Sequence, residues 1–423
     1  MRLSLTPSVS TKDGTSNRNA RLTNCLKESK KSGDMAVIRP GLVLDAVASG
    51  VGNGLVAFNG QLVSVYGTTL GLNVTPPADL APEDLNSADS SSHEAEGVSS
   101  DGSVIVGGFN NGGFNNAYAW TESGGMESLG TLEAFGTSDA SDVSDDGTVV
   151  CGSASVSGNS KAFKWTDAGG MVSLGTLGGT RSFANAISGD GLVIGGQSYL
   201  LGDTDPTHAH AFRWTDAGGM VDLGTLGGLF SAVRGMNSDG SVLCGGSETS
   251  STRLSAFKWT DAGGIVDLDS SGTADSEAAD TSTDGSVIVG YYKPDGTNSK
   301  AFRWTSADGL ISLGTLGGNQ SYATGVSGDG SVVVGYSHIT GDSAFHAFKW
   351  TTDGGMIDMG VLSGGNDSYA KAISLDGTVA VGDSDMTSPS EHGVKWNTGI
   401  INGTIPALTT ITGTSFDFAQ SPL

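Results

Sequence analysis

Cysteine, proline, basic residues and long apolar runs are all scarce in this chain. The three cysteines, Cys25, Cys151 and Cys244, are too few for a disulfide framework and have no metal-ligand spacing, so free thiols and folding in a reducing cytoplasm are expected. No apolar run reaches the roughly 18 residues of a membrane helix. The first residues, "MRLSLTPSVSTKDGTSNRNARLTNCLKESKK", lack the apolar core and cleavage site of a secretory signal. Lys and Arg total 21 against 45 Asp and Glu, a formal net charge of -24, which argues against non-specific affinity of the body for a phosphate backbone. Residues 1–43 run the other way, with eight basic and three acidic side chains. Such an arm is either solvated or docked on an acidic partner surface.

Glycine is abundant. With 67 glycines, 37% apolar and 16% charged residues, the composition favours many short strands and tight turns over helices. The tryptophans recur at intervals of about 45 residues, at Trp120, Trp165, Trp214, Trp259, Trp304, Trp350 and Trp396. Between them stand Asp-Gly pairs, usually as S-x-D-G, at Asp101, Asp146, Asp190, Asp239, Asp284, Asp329 and Asp376. One repeat runs approximately "A-x-x-V-S-x-D-G-S-V-I-V-G-x-S", a variable polar loop, then "A-F-[KR]-W-T-x-x-G-G-M-V-x-L-G-T-L-G-G".

The local chemistry predicts four strands per repeat. Asp-Gly between apolar runs makes a tight hairpin, because glycine accepts positive φ and aspartate bonds the backbone of its own turn. The variable loop carries the length differences and belongs on the surface. "AFRWT" or "AFKWT" forms the third strand, "DAGG" turns the chain, and "MVDLGTLGG" forms the fourth. Four short antiparallel strands over some 45 residues match one blade of a β-propeller. The predicted fold is all-β, a propeller of about seven four-stranded blades, with six or eight as the alternatives, plus a small β platform built from the two ends.

In the third strand Phe212 and Trp214 share one face, and Arg213 points to the other. One tryptophan per blade is therefore expected to fill the wedge between neighbouring blades. Lys164, Arg213, Lys258, Arg303, Lys349 and Lys395 occupy the intervening position. Each is expected to pair with a nearby carboxylate, such as the turn aspartate, or to snorkel out between blades. Cys151 and Cys244 fall at one repeat position where other copies carry Val or Ile, so they read as small buried apolar residues.

The ends depart from the repeat. "GLVAFNGQLVSVYGTTLGLN", from Gly54, has the shape of a third-and-fourth-strand hairpin without its tryptophan, and "VTPPADLAPEDLNSADSSSHEAE" reads as a Pro-, Ser- and acid-rich linker. The expected organisation is an N-terminal arm or platform at 1–50, a half-blade and linker at 51–93, the propeller at 94–405, and C-terminal strands at 406–423 returning to the platform.

The repeat resembles the HAF repeat, through His210-Ala211-Phe212 and His346-Ala347-Phe348 followed by "LGTLGG". The first copy departs as "AYAW", the fourth as "LDSSGTADS" and the last as "KWNTGIINGT". The N-terminal segment resembles tail hub or nozzle proteins of short-tailed bacteriophages. The matching residues are Arg21, Asn24, Cys25, Leu26 and Glu28, then Arg39, Pro40, Gly41 and Leu42, then Phe58, Asn59 and Gly60. That resemblance implies a structural virion protein in the tail, folded in the host cytoplasm and assembled as a homohexameric ring. It also implies contacts with the tail adaptor, with fibres or spikes and with the host surface, and a distal channel through which DNA passes without specific binding. An acidic lining would repel the phosphates and suit that passage.

Motifs for chemistry are weak. The S-x-D-G pairs match the sialidase Asp-box poorly, and a glycosidase needs two converging carboxylates. His208 and His210, near Asp203 and Asp205, lack a third well-spaced metal ligand. Glycines lie in strand-turn-strand settings and not before helices, so no phosphate loop is expected. The expectation is no enzyme, no catalytic residues, no metal and no cofactor. The competing readings are a bacterial surface repeat protein for adhesion or carbohydrate binding, and, third, a glycan hydrolase.

Overall fold

The computed structural model describes residues 80–86 and 92–399, apart from 112, 203–207, 270–271, 273 and 387–390. It also gives the backbone of a hairpin, Leu5–Lys12 with Thr15–Leu22, and of a separate three-stranded sheet, Gly52–Phe58, Gln61–Tyr66 and Thr69–Leu70. In that sheet Phe58 pairs with Gln61, so the predicted hairpin lies outside the propeller sheets. The C-terminal strands expected at 406–423 lie outside the described residues, as does Cys25.

Seven four-stranded antiparallel sheets form a β-propeller, and the described residues include no α-helix. Blade 1 begins at His93, blade 2 at Ser138, blade 3 at Gly178, blade 4 at Gly227, blade 5 at Ser276, blade 6 at Gly317 and blade 7 at Ser368. The first strand of each blade is innermost, and the fourth lies at the rim. Blade 7 is completed by Glu83–Asp84 at its outer edge, where Asp84 pairs with Val394 and Glu83 with Lys395. The linker reading of this stretch is thereby corrected: the propeller takes a strand from ahead of residue 94. "EDLN" occupies the register of "VDLG" in blade 3, where Asp222 pairs with Phe212 and Val221 with Arg213.

Between strands one and two, each turn aspartate closes its hairpin. In blade 6, Ser327 Oγ donates to Asp329 Oδ1 at 2.8 Å, and Asp329 Oδ1 accepts from the Ser331 N–H at 2.9 Å. Ser327 Oγ then accepts from the Val332 N–H at 3.0 Å. The same aspartate-centred turn occurs at Asp101, Asp146, Asp190, Asp239, Asp284 and Asp376. The hydroxyl and backbone donors hold most of these carboxyls below their ordinary range; Asp284, bonded by Ser286, falls to about 2.

Neighbouring blades meet through apolar wedges. Phe163, Phe212, Phe257, Phe302 and Phe348 are fully buried there. The tryptophans two residues on are more peripheral: Trp396 is fully buried, Trp120 and Trp259 nearly so, and Trp165, Trp214, Trp304 and Trp350 are half-buried. Phenylalanine thus fills the centre of the wedge and tryptophan its turn-side end. Burying each such aromatic contributes roughly 2–3 kcal/mol. The intervening cations reach across to the next blade. Lys164 lies 5.5 Å from the Trp214 ring and pairs with Asp216 at 3.0 Å, and Lys395 lies 4.7 Å from the Trp120 ring and pairs with Glu122 at 2.7 Å. Lys258, 5.9 Å from the Trp304 ring, donates to the carbonyl of the following Asp-Gly turn at Gly285, and Arg213 and Arg303 donate likewise at Gly240 and Gly330. Lys349 donates to the Thr398 carbonyl. One strand therefore packs an aromatic against the blade behind it and a cation onto the blade ahead.

A serine bonds each joint between consecutive blades. Ser138, Ser182, Ser231, Ser276, Ser321 and Ser368 are buried at inner strands, and their hydroxyls accept from backbone N–H groups of the preceding blade. Only the joint between blades 7 and 1 differs among these described joints, with His93 in that position. Cys151 and Cys244 are buried free thiols whose ionisation burial pushes well above the usual range.

Candidate functional site

Every inner strand carries a β-bulge at the same level. The register shifts place Glu96, Ser141, Asn185, Arg234, Ala279, Thr324 and Lys371 at the extra position. A bulge releases one residue from the ladder and re-aims its side chain. All seven line an axial cavity of about 150 Å³. At one end the x residues of the S-x-D-G turns link blade to blade: Ser100 N–H donates to Asp145 O, Asp145 N–H to Gly189 O, and Gly189 N–H to Ser238 O. Thr283 N–H donates likewise to Gly328 O, and Gly328 N–H to Leu375 O. This belt narrows the axis at that end of the cavity.

The other end is charged and aromatic. Lys371 contacts Glu96 at 2.5 Å and Glu94 at 3.3 Å, and it also contacts Asp383. Asp383 accepts from the Ala95 N–H at 3.0 Å, tying blade 7 to blade 1. Burial opposes the Lys371 charge, but the three carboxylates outweigh it and hold its ionisation well above the usual range. Burial also pushes Asp383 up to about 7 against the pull of Lys371. Asp139 rises to about 7 through burial, then the Glu96 and Glu94 charges. Glu94, Glu96 and Asp383 could in principle converge on a metal ion, but Lys371 already occupies their focus.

Around the mouth, Arg234 pairs with Glu277 at 2.7 Å, and the Tyr291 hydroxyl donates to Glu277 at 3.0 Å. Tyr291 meets Tyr322 edge-on, Tyr322 stacks on Tyr336 at 4.9 Å, and Tyr336 meets Phe345 and Tyr369. These half-buried rings span blades 5 to 7 and lead to the Lys371 cluster. Such an arc offers faces for stacking beside the carboxyls of the Lys371 cluster.

Two further carboxyls are structural. Asp142 Oδ1 and Oδ2 accept from Val143 N–H at 2.8 Å and Ile187 N–H at 2.9 Å, and Asp280 accepts from Thr281 and Val326 N–H at 2.7 and 2.9 Å. Each fastens its blade to the next. Burial pushes both to about 7, against those donated bonds. With Asp139, Asp142, Asp280 and Asp383 all raised, the folded chain holds protons between about pH 4 and 7 that the unfolded chain releases. Their contribution to stability therefore falls as pH rises through that window and levels off above it. A thermal unfolding midpoint higher at about pH 5 than at about pH 8 is expected; even about 1 kcal/mol of total difference moves it by roughly 2 °C. Equal midpoints would show that these groups ionise normally.

The sequence-selected residues separate by role. The tryptophans and turn aspartates lie in the inter-blade wedges and hairpins, away from the charged mouth. His210 bonds Asp222 across its own blade at 3.0 Å, while Asp203 and Asp205 lie outside the described residues. The bulge residues and the arc were missed. Their signal was the variation from copy to copy at inner-strand positions that a consensus leaves blank.

No protein-family model matches the chain, and no curated protein matches it. Among solved structures it is similar to a prolyl endopeptidase, at 12% identity over 73% of this chain and 48% of that one, with a TM-score of 0.54. It is similar to puromycin hydrolase, at 13% identity over 75% and 54% of the two chains, with a TM-score of 0.51. The oligogalacturonate lyase of Vibrio parahaemolyticus matches at 10% identity over 84% and 99%, with a TM-score of 0.50. The match spans only about half the length of the endopeptidase and the hydrolase. At these identities the likeness is one of fold. It nonetheless overturns the expectation that the chain is no enzyme: propellers of this fold occur in enzymes, so poor catalytic motifs within the repeats are no ground for excluding catalysis.

Proposed function

We propose that this chain is a structural subunit of a short-tailed phage tail, the hub or nozzle, with its two ends forming the assembly platform and the propeller carried outward. The observation that carries this reading is where the ends leave the propeller. Lys395 pairs with Glu83 in the antiparallel outer ladder of blade 7, so the residues before Glu83 and those after Asn397 depart side by side. Thr398 bonds Thr378 and Gly377, which places this exit on the face of the Asp-Gly turns. The loops between second and third strands, which carry the length variation, lie on the opposite face. One face thus suits attachment and the other suits contact with fibres, spikes or the host surface. The resemblance of the N-terminal segment supports this reading of the assembly as a homohexameric ring under the tail adaptor in the virion tail, with DNA passing between subunits. Electron microscopy of the full-length protein tests this. Rings are expected, and a monomer that never assembles and is absent from virions would defeat the reading.

The charged and aromatic mouth favours a second reading, carbohydrate binding, because stacked Tyr322 and Tyr336 beside carboxyls suit the apolar face and hydroxyls of a sugar. A glycan array read for both retention and product would test it. Tyr336→Ala is expected to abolish retention; a wild-type protein that retains no glycan removes the reading.

A further inference from the structure

The joint that closes the ring departs from the other six in both its chemistry and its connectivity. There the outer strand is not continuous with blade 7 but arrives from ahead of blade 1, through a ladder of two residues, Glu83–Asp84. Asp84 sits between two imidazoles: Oδ2 lies 2.9 Å from His392 Nδ1, and Oδ1 lies 3.5 Å from His93 Nε2. The rings of His93 and His392 are 4.9 Å apart, and one ligand atom from each of the three residues falls within 4.8 Å of the others. The side chains are only 1%, 6% and 11% exposed for His93, His392 and Asp84.

The repeat supplies its own comparison. A histidine at the head of the third strand meets an aspartate of the fourth at His210–Asp222 and His346–Asp358 as well, so the His392–Asp84 pair belongs to the blade design. His93 does not. It stands where the other six inner strands carry the joint serine, and it adds a second imidazole only where the chain is discontinuous.

We infer that Asp84, His93 and His392 form a binding site for a zinc-type divalent ion that clasps the ring closed. Two imidazole nitrogens and a carboxylate oxygen are a donor set that zinc takes at about 2.0–2.2 Å, with water free to complete four-coordination. The three atoms already lie within 4.8 Å of one another, with Asp84 2.9 Å from one imidazole nitrogen and 3.5 Å from the other. The ion would join the third strand of blade 7, through His392, to a strand with which it has no continuous backbone, Glu83–Asp84, and to blade 1 that follows that strand. It would thereby fix the residues leading to the N-terminal segment.

Calorimetric titration of the full chain with zinc chloride, after chelator treatment and dialysis, tests the site, alongside thermal unfolding with and without the ion. One equivalent bound with micromolar or better affinity and a raised unfolding midpoint are expected. His93→Ser restores the residue of the other six joints; it is expected to fold and to weaken binding by more than about tenfold. His210→Ser, in a pair lacking the second imidazole, is expected to leave binding unchanged. Cobalt substitution would add the visible absorption of a four-coordinate site, lost in His93→Ser. Should that variant fail to fold, Asp84→Asn serves in its place. Absence of a one-equivalent site, or affinity unchanged in the folded closure variant, overturns the assignment.

Discussion

Gly245→Ala is expected to prevent this chain from folding to a stable propeller, at a cost above about 4 kcal/mol, beyond the range of ordinary substitutions. A β-carbon on Gly245 would stand 1.9 Å from the Ala232 carbonyl oxygen and 3.1 Å from the Phe257 ring. The cause is the bulge at Arg234, which pushes the inner-strand backbone against the second strand. The same approach recurs in every blade, at Gly107, Gly152, Gly196, Gly290, Gly335 and Gly382, with the added carbon 1.9 to 2.1 Å from a carbonyl oxygen. Those contacts are backbone, so no side-chain rotation relieves them. Gly264→Ala is the control. Its backbone has φ of 62° and nothing lies within 4 Å of the added carbon, so only the left-handed conformation is penalised, by about 1–2 kcal/mol. Urea unfolding separates the two; similar midpoints would mean that the bulge does not bring the strands together.

Asp280→Ala is expected to destabilise by roughly 2–5 kcal/mol at about pH 5, because two backbone donors, Thr281 and Val326 N–H, lose their acceptor and each such loss costs about 1–3 kcal/mol. Val326 belongs to the following blade, so the loss falls on a joint. At about pH 8 the penalty is expected to shrink, since the variant also removes a carboxyl that burial has raised to about 7. The double variant with Asp142→Ala should flatten most of the pH dependence of the unfolding midpoint. A penalty that stays the same from pH 5 to pH 8 would show that the donated bonds outweigh burial and that both carboxylates are ionised throughout.

These two residues show where the repeat stops being informative. Gly245 belongs to a pattern visible in the sequence, the glycine ending "SVIVG" and "SVLCG", although the reason for it, a carbonyl forced inward by a bulge, is a tertiary fact. Asp280 and Asp142 break the pattern, standing where other blades carry Gly or Ala. An average over copies discards such departures. The same holds for His93, a histidine where six copies have serine, and for Lys371 among its three carboxylates. The closing strand was legible in part, because "EDLN" matches "VDLG", but its setting among Pro, Ser and acids reads as linker. Two residues of ladder carry too little periodicity to declare a strand.

The sequence by itself determined the propeller, its hairpins and the approximate blade number. Each follows from local rules applied seven times: aspartate and glycine in turns, alternation along strands, an aromatic on the face that meets a neighbour. Tertiary structure alone decided which residues meet at the axis and at the closure. Those contacts join residues such as Glu94 with Lys371 and Asp84 with His392, from opposite ends of the repeat array. No local rule links positions so far apart in the chain; the curvature of seven packed wedges, returning blade 7 to blade 1, brings them together.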